Sequence, residues 1–159
     1  MPDFFQWLYD LSISQWVREG EGVFPTLLAT HIYSMAILIA VTGALDLRLL
    51  GLRFEPPPGR PISDFASRAL RRGWVVLAAH ALSGTILFLG KAVDYYGNTA
   101  FRIKMSLVLV AVLYHWVVLP AVARRADAAS MRIASGLAGV IGLLLWISVV
   151  FAARMIAYV

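Results

Sequence analysis

Apolar residues fill almost every position in four stretches of the chain, separated by short runs in which Arg, Asp, Gly and Pro gather. The stretches cover approximately residues 24–45, 74–96, 104–123 and 133–153. A helix needs ~20 predominantly apolar residues to cross a hydrocarbon core of ~30 Å, because lipid offers no partner to an exposed backbone amide. The pattern therefore predicts an all-α fold: an integral membrane four-helix bundle, one domain over residues 1–159.

The pieces between and before the stretches predict the remaining elements. The opening PDFFQWLYDLSISQWV mixes large apolar residues with Asp3, Gln6, Asp10 and Gln15. It is too short and polar to span, and it predicts an interfacial helix over 3–17 with Trp7, Tyr9 and Trp16 at headgroup depth. REGEG, residues 18–22, is a break, and Pro25 suits the first turn of a helix, where a missing amide costs nothing. FEPPPGRP, residues 54–61, excludes helix and predicts a stiff turn. SDFASRALRRG then predicts a short basic helix over 63–72, with Ser63 as N-cap and its arginines as anchors on anionic headgroups. Asp46 and Arg48 at the end of the first span are expected to form a boundary ion pair. DYYGNT, residues 94–99, predicts a tight turn between the second and third spans. In the fourth span Ser135, Gly136, Gly139 and Gly142 let helices approach closely, either within one chain or in a homo-oligomer through the three glycines.

Composition narrows the class. Of 159 residues 60% are hydrophobic and only 14% charged, with mean hydropathy +0.77, which excludes an ordinary soluble domain. The absence of cysteine excludes disulfides, thiolate metal sites and iron–sulfur clusters. A net charge of +5 invites a nucleic-acid partner, but the basic residues follow the loops. Arg48, Arg53, Arg60, Arg68, Arg71, Arg72, Arg124, Arg125 and Arg132 flank the first and third loops, against Arg18, Lys91, Arg102, Lys104 and Arg154 on the other side. By the positive-inside rule both termini face outward, the partner is the lipid bilayer, and nucleic acid is excluded. Asp3, with no Lys or Arg ahead of the first apolar residues, argues against a cleaved signal peptide.

The chemistry lies in three histidines, His31, His80 and His115, one in each of the first three spans. Ionisable residues at membrane depth are costly and usually face the bundle interior, where they bind a ligand or relay protons. With span boundaries at Thr26, Trp74 and Lys104, His31 lies ~8 Å below the outer face, His115 ~16 Å and His80 ~21 Å. Only His80 and His115 then approach one level, as two axial ligands of one haem iron must. Gly84 and Ser83 beside His80, and Ala111 one turn before His115, leave room for a flat macrocycle. Lys104, with Lys91 and Arg102 near it, offers cations to haem propionates, and His31 with Lys104 suits an outer quinone site. A bound haem b would imply electron transfer or redox sensing with a redox partner protein. The competing class is a non-enzymatic accessory or transport protein, whose imidazoles hydrogen-bond neighbouring helices or relay protons. Met35, one turn from His31, adds a weaker copper option, set against its use in packing.

An intramembrane histidine in the first span, and a third span opening on a lysine as FRIKMSLVLVAVLYHW, resemble the bacterial inner-membrane superfamily of copper-resistance protein D and HemJ-type protoporphyrinogen oxidase. GVFPTLLATHIYSMAILIAVTGALDLRLLG, residues 22–51, is more similar to bacterial membrane proteins of about this length. The resemblance implies a four-helix protein of the bacterial inner membrane. Its HemJ branch implies haem b and porphyrinogen oxidation with His31 and Lys104 as functional residues, and its copper branch implies copper uptake. The aromatic and charged signature expected around the first span in HemJ is absent, and the proline-rich loop lies outside the pattern, so whether the chain is an enzyme stays open.

Overall fold

The computed structural model describes residues 2–52 and 61–158. Helices form throughout these, with no strand among the described residues. Two short helices, α1 (Pro2–Asp10) and α2 (Ser12–Glu19), precede the long α3 (Val23–Leu49) and α4 (Ile62–Gly90). A short α5 (Ala92–Tyr96) leads to α6 (Thr99–Leu113), which passes through one π-helical turn, Tyr114–Val118, into α7 (Leu119–Ala123). The last long helix is α8 (Arg132–Met155). Four segments are long and apolar enough to cross a membrane: Val23–Leu49, Ile62–Gly90, Thr99–Ala123 and Arg132–Met155.

The long helices form a closed ring in which α3 packs on α4 and α8, α6 packs on α8, and α7 returns against α4. Their outward faces carry Ile32, Val75, Leu82, Leu109, Val117, Ile133 and Phe151, all exposed, as expected of surfaces solvated by lipid. Because lipid is as apolar as leucine, burial alone does not hold such helices together, and close packing and interhelical hydrogen bonds do. Two apolar clusters serve at two levels. One joins Leu45, Leu49, Leu70, Leu119 and Ala123; the other joins Leu38, Ala111, Trp146 and Val149.

Both termini lie at one end of the bundle. There α1 packs on α5, with Phe5 against Tyr96 at a ring separation of 4.5 Å, and Asn98 Nδ2 donates to the Ile156 carbonyl. The predicted N-terminal helix is two helices broken at Leu11, whose extended backbone turns α2 onto the bundle. Val17 becomes fully buried in a notch at Gly90, where a Cβ would come 2.8 Å from its Cγ1.

The opposite end gathers Arg48, Arg68, Arg71, Arg72, Arg124, Arg125 and Arg132, while Arg53, Arg60 and the stiff turn over 54–60 lie outside the described residues. Two expectations change here. The basic helix over 63–72 and the span from 74 are a single helix of 29 residues, since no proline stands in the run and an isolated glycine such as Gly73 does not interrupt a helix. Its N-cap is not Ser63: the first amide, Ile62 N, donates to the Asp127 carboxylate at 3.2 Å, from the loop after α7. That carboxylate satisfies an orphan donor and favours the positive end of the α4 dipole.

Candidate functional site

Chain reversal between α3 and α4 brings the same short pattern together twice. Ala29-Thr30-His31-Ile32-Tyr33-Ser34 and Ala78-Ala79-His80-Ala81-Leu82-Ser83 share A-x-H-x-x-S, and three residues on a helix place His and Ser on one face. The two imidazoles stack across the interface, with ring centroids 3.9 Å apart and planes inclined by 16°. Each reaches over to the other helix's serine: His31 Nδ1 lies 3.1 Å from Ser83 Oγ, and His80 Nδ1 lies 3.1 Å from Ser34 Oγ.

The serines fix the tautomers. Ser83 donates its one hydroxyl hydrogen to the His80 carbonyl at 3.0 Å, and Ser34 donates to the His31 carbonyl at 2.8 Å. Each Oγ is therefore left as an acceptor, so both Nδ1 atoms carry hydrogen and donate; His80 also shares its hydrogen with the His31 carbonyl at 3.2 Å. Each Nε2 keeps a bare lone pair, with no hydrogen-bond partner among the described residues. The half-buried Lys104 of α6 acts electrostatically on both rings. Gly84 makes the stack possible, because a Cβ there would come 2.8 Å from His31 Cε1. The space expected beside Gly84 for a macrocycle holds the His31 ring instead.

His115 has another environment. Pro120 carries no amide hydrogen to give the Trp116 carbonyl, and the helix widens just before it, with Leu119 N donating to Tyr114 O. His115 sits in this wide turn, fully buried. Its Nδ1 donates to the Ala111 carbonyl at 2.8 Å, which uses the backbone expected to lie against a macrocycle. Its Nε2 lies 3.1 Å from Asp46 Oδ2, with both side chains 0% exposed. Because Nδ1 already holds a hydrogen, a single proton lies between Nε2 and Oδ2: the pair is acid plus neutral imidazole, or carboxylate plus imidazolium, and is neutral as a unit. Asp46 Oδ1 has no hydrogen-bond partner among the described residues. The carboxyl rests on Gly142, and the Asp46 carbonyl on Gly139; a Cβ at either glycine would overlap them. Trp146, one turn beyond Gly142, closes the site with its ring 5.4 Å from the imidazole and its indole nitrogen also unpartnered.

The structure thus pairs the predicted site residues differently. His80 meets His31, not His115. The depths expected for the spans placed boundaries at Thr26, Trp74 and Lys104, but α3 begins at Val23 and α4 runs from Ile62 to Gly90, so at the end near the termini His31 lies ~12 Å from Val23 and His80 ~15 Å from Gly90. His115 lies nearer the arginine-rich end, level with the part of α4 around Gly73, where a Cβ would meet Trp116 at 3.0 Å. That point is ~10 Å along α4 from His80. This geometry does not fit a haem ligated by His80 and His115. Lys91 lies over the Phe24 ring at 5.3 Å, and Met35 packs on the Leu38 and Trp146 cluster. Among the described residues no three His, Asp or Glu side chains group to hold a metal ion. Asp46 does not pair with Arg48 as expected; residues two apart on a helix do not face each other, and Arg48 lies over the Phe65 ring at 5.2 Å. Gly139 and Gly142 are used within the chain, which removes them from any homo-oligomer face, while nothing lies within 4 Å of a Cβ on Gly136.

Four apolar spans around two polar histidine clusters define a small multi-pass membrane protein. The chain belongs to DUF6644, a family of unknown function whose model matches residues 4–159. No curated protein and no solved structure matches it.

Proposed function

We propose that this protein is a proton relay of the bilayer, in the transport or accessory class rather than a haem carrier. The observation that carries the reading is the fully buried Asp46–His115 pair, which holds one proton between a carboxyl oxygen and an imidazole nitrogen, either of which can carry it. On α3 one face carries His31, Ser34, Thr42 and Asp46, so His31 of the stack and Asp46 of the acid–imidazole pair stand ~22 Å apart along one helix. Protonation of the stack takes place at Nε2, the one open position on each ring. The proton of the lower pair has Asp46 Oδ1 as its open acceptor. Termini outward and arginines inward is the orientation that accompanies this reading.

The test is proton flux into liposomes holding the purified protein and a trapped pH dye, under an imposed potential. Wild-type vesicles are expected to change internal pH at least tenfold faster than empty ones. Asp46→Asn, which keeps a hydrogen bond to His115 but holds no exchangeable acid proton, is expected to return the rate to the empty level. Equal rates in wild-type and empty vesicles overturn the proposal.

One observation favours a redox ligand as a second reading: two bare Nε2 atoms near Lys104. A haem or quinone there would supply the electron chemistry, with a histidine nitrogen as ligand or acceptor and Lys104 facing an anionic group. A visible spectrum of the protein from haem-replete cells, as isolated and reduced, decides the haem form; a Soret band lost in His31→Ala or His80→Ala supports it, and a colourless protein rejects it.

A further inference from the structure

On the side of the α3–α4 pair facing lipid, a groove of about 330 Å³ runs between the helices, within the range of small-molecule sites. Its α3 wall is Ile37, Ala40, Val41 and Ala44, one stripe at helical spacing. Its α4 wall is Phe65, Arg68, Ala69 and Arg72, a second stripe with the same spacing. The two walls differ in chemistry. One is alkyl throughout, with small side chains that leave a floor between the helices; the other places two guanidinium groups on a four-residue spacing.

The groove also has a defined depth. Arg68 and Arg72 lie in the first three turns of α4, at the arginine-rich end, and the exposed Trp74 indole follows at once. An exposed tryptophan next to basic residues marks the boundary between headgroups and hydrocarbon. The guanidiniums therefore stand at phosphate depth while the alkyl wall reaches into the acyl region. A site with cations at the headgroup level and a narrow apolar channel below them matches one amphiphile: a phospholipid with an anionic headgroup.

We propose that this groove is a binding site for one anionic phospholipid of the bilayer, with the headgroup held by Arg68 and Arg72 and an acyl chain laid along Ala40, Val41 and Ala44. Guanidinium suits this role, since its planar fork meets two phosphate oxygens at once. The arginines here do more than anchor α4 to a charged surface.

The experiment titrates the detergent-purified full chain with phosphatidylglycerol, following retained lipid by native mass spectrometry and stability by thermal unfolding. One tightly retained phosphatidylglycerol and a raised unfolding midpoint are expected, with phosphatidylcholine giving neither. The double substitution Arg68→Gln/Arg72→Gln is expected to weaken retention about tenfold or more. Ala44→Leu, which fills the channel without altering charge, is expected to weaken retention as well. Arg124→Gln/Arg125→Gln, at the same end but outside the groove, is expected to leave it unchanged. The proposal is overturned if phosphatidylcholine binds equally, if inorganic phosphate reproduces the stabilisation, if filling the channel has no effect, or if the Arg124/Arg125 variant loses lipid as the groove variant does.

Discussion

The two histidine clusters use the same side chain to opposite ends. In the upper one, His31 and His80 are neutral donors locked by serines, stacked on each other, with Nε2 of each open. In the lower one, His115 is engaged at both nitrogens and shares a proton with an acid, sealed by Trp146 and two glycines. What Nδ1 meets is similar, a serine hydroxyl or a carbonyl; what differs is what Nε2 meets. The second nitrogen thus distinguishes the two imidazole environments, and only the lower site couples it to a group of opposite charge type.

The comparison breaks most strongly at Asp46. Asp46→Ala leaves His115 Nε2 buried without a partner, and a loss of about 3–5 kcal/mol is expected in reversible unfolding, as for removing one member of a buried pair. Asp46→Asn, which still donates to Nε2, is expected to lose about 1 kcal/mol; equal losses in the two variants would show that the site needs only volume. Next comes Gly142→Ala, where the new methyl meets the Asp46 carboxyl, with an expected loss of about 1–3 kcal/mol, while Gly136→Ala, facing open space, stays within about 0.5 kcal/mol. A still smaller effect belongs to the upper cluster. Ser34→Ala and Ser83→Ala are each expected to lose about 0.6 kcal/mol, the usual worth of an interhelical hydrogen bond in a membrane. Their sharper signature is nitrogen NMR: Ser83→Ala removes the acceptor that fixes hydrogen on His31 Nδ1, and a tautomer mixture is expected there, while in Ser34→Ala His80 Nδ1 keeps the His31 carbonyl and one form is expected. Unchanged nitrogen shifts in Ser83→Ala would refute the reciprocal clamp.

The bundle itself was legible in the apolar stretches, because four runs of sufficient length admit little else. Element ends were less so: the first turns of α4 are basic and amphipathic, and hydropathy drops there while the helix continues to Ile62. That shift of twelve residues moved the expected level of His80 and with it the pairing of the histidines. The A-x-H-x-x-S repeat was the available signal, since one pattern on two successive antiparallel helices places each histidine opposite the other's serine. Asp46 was hidden by Arg48, which suggests an ion pair along the sequence that the helix turns apart. The π turn at His115 depends on how the chain resolves the missing Pro120 amide, and local pattern gives several solutions to that.

The Asp46–His115 contact spans 69 residues of sequence. A chain made from its N-terminus therefore delivers the acid to the membrane long before its base, and before the glycines of α8 that receive it. Asp46 stands three residues from the end of α3, so during synthesis its carboxyl can wait in water at the bilayer surface instead of in hydrocarbon. Assembly of the last two helices would then draw it inward, making burial of this acid a late event in biogenesis and a marker of a completed bundle.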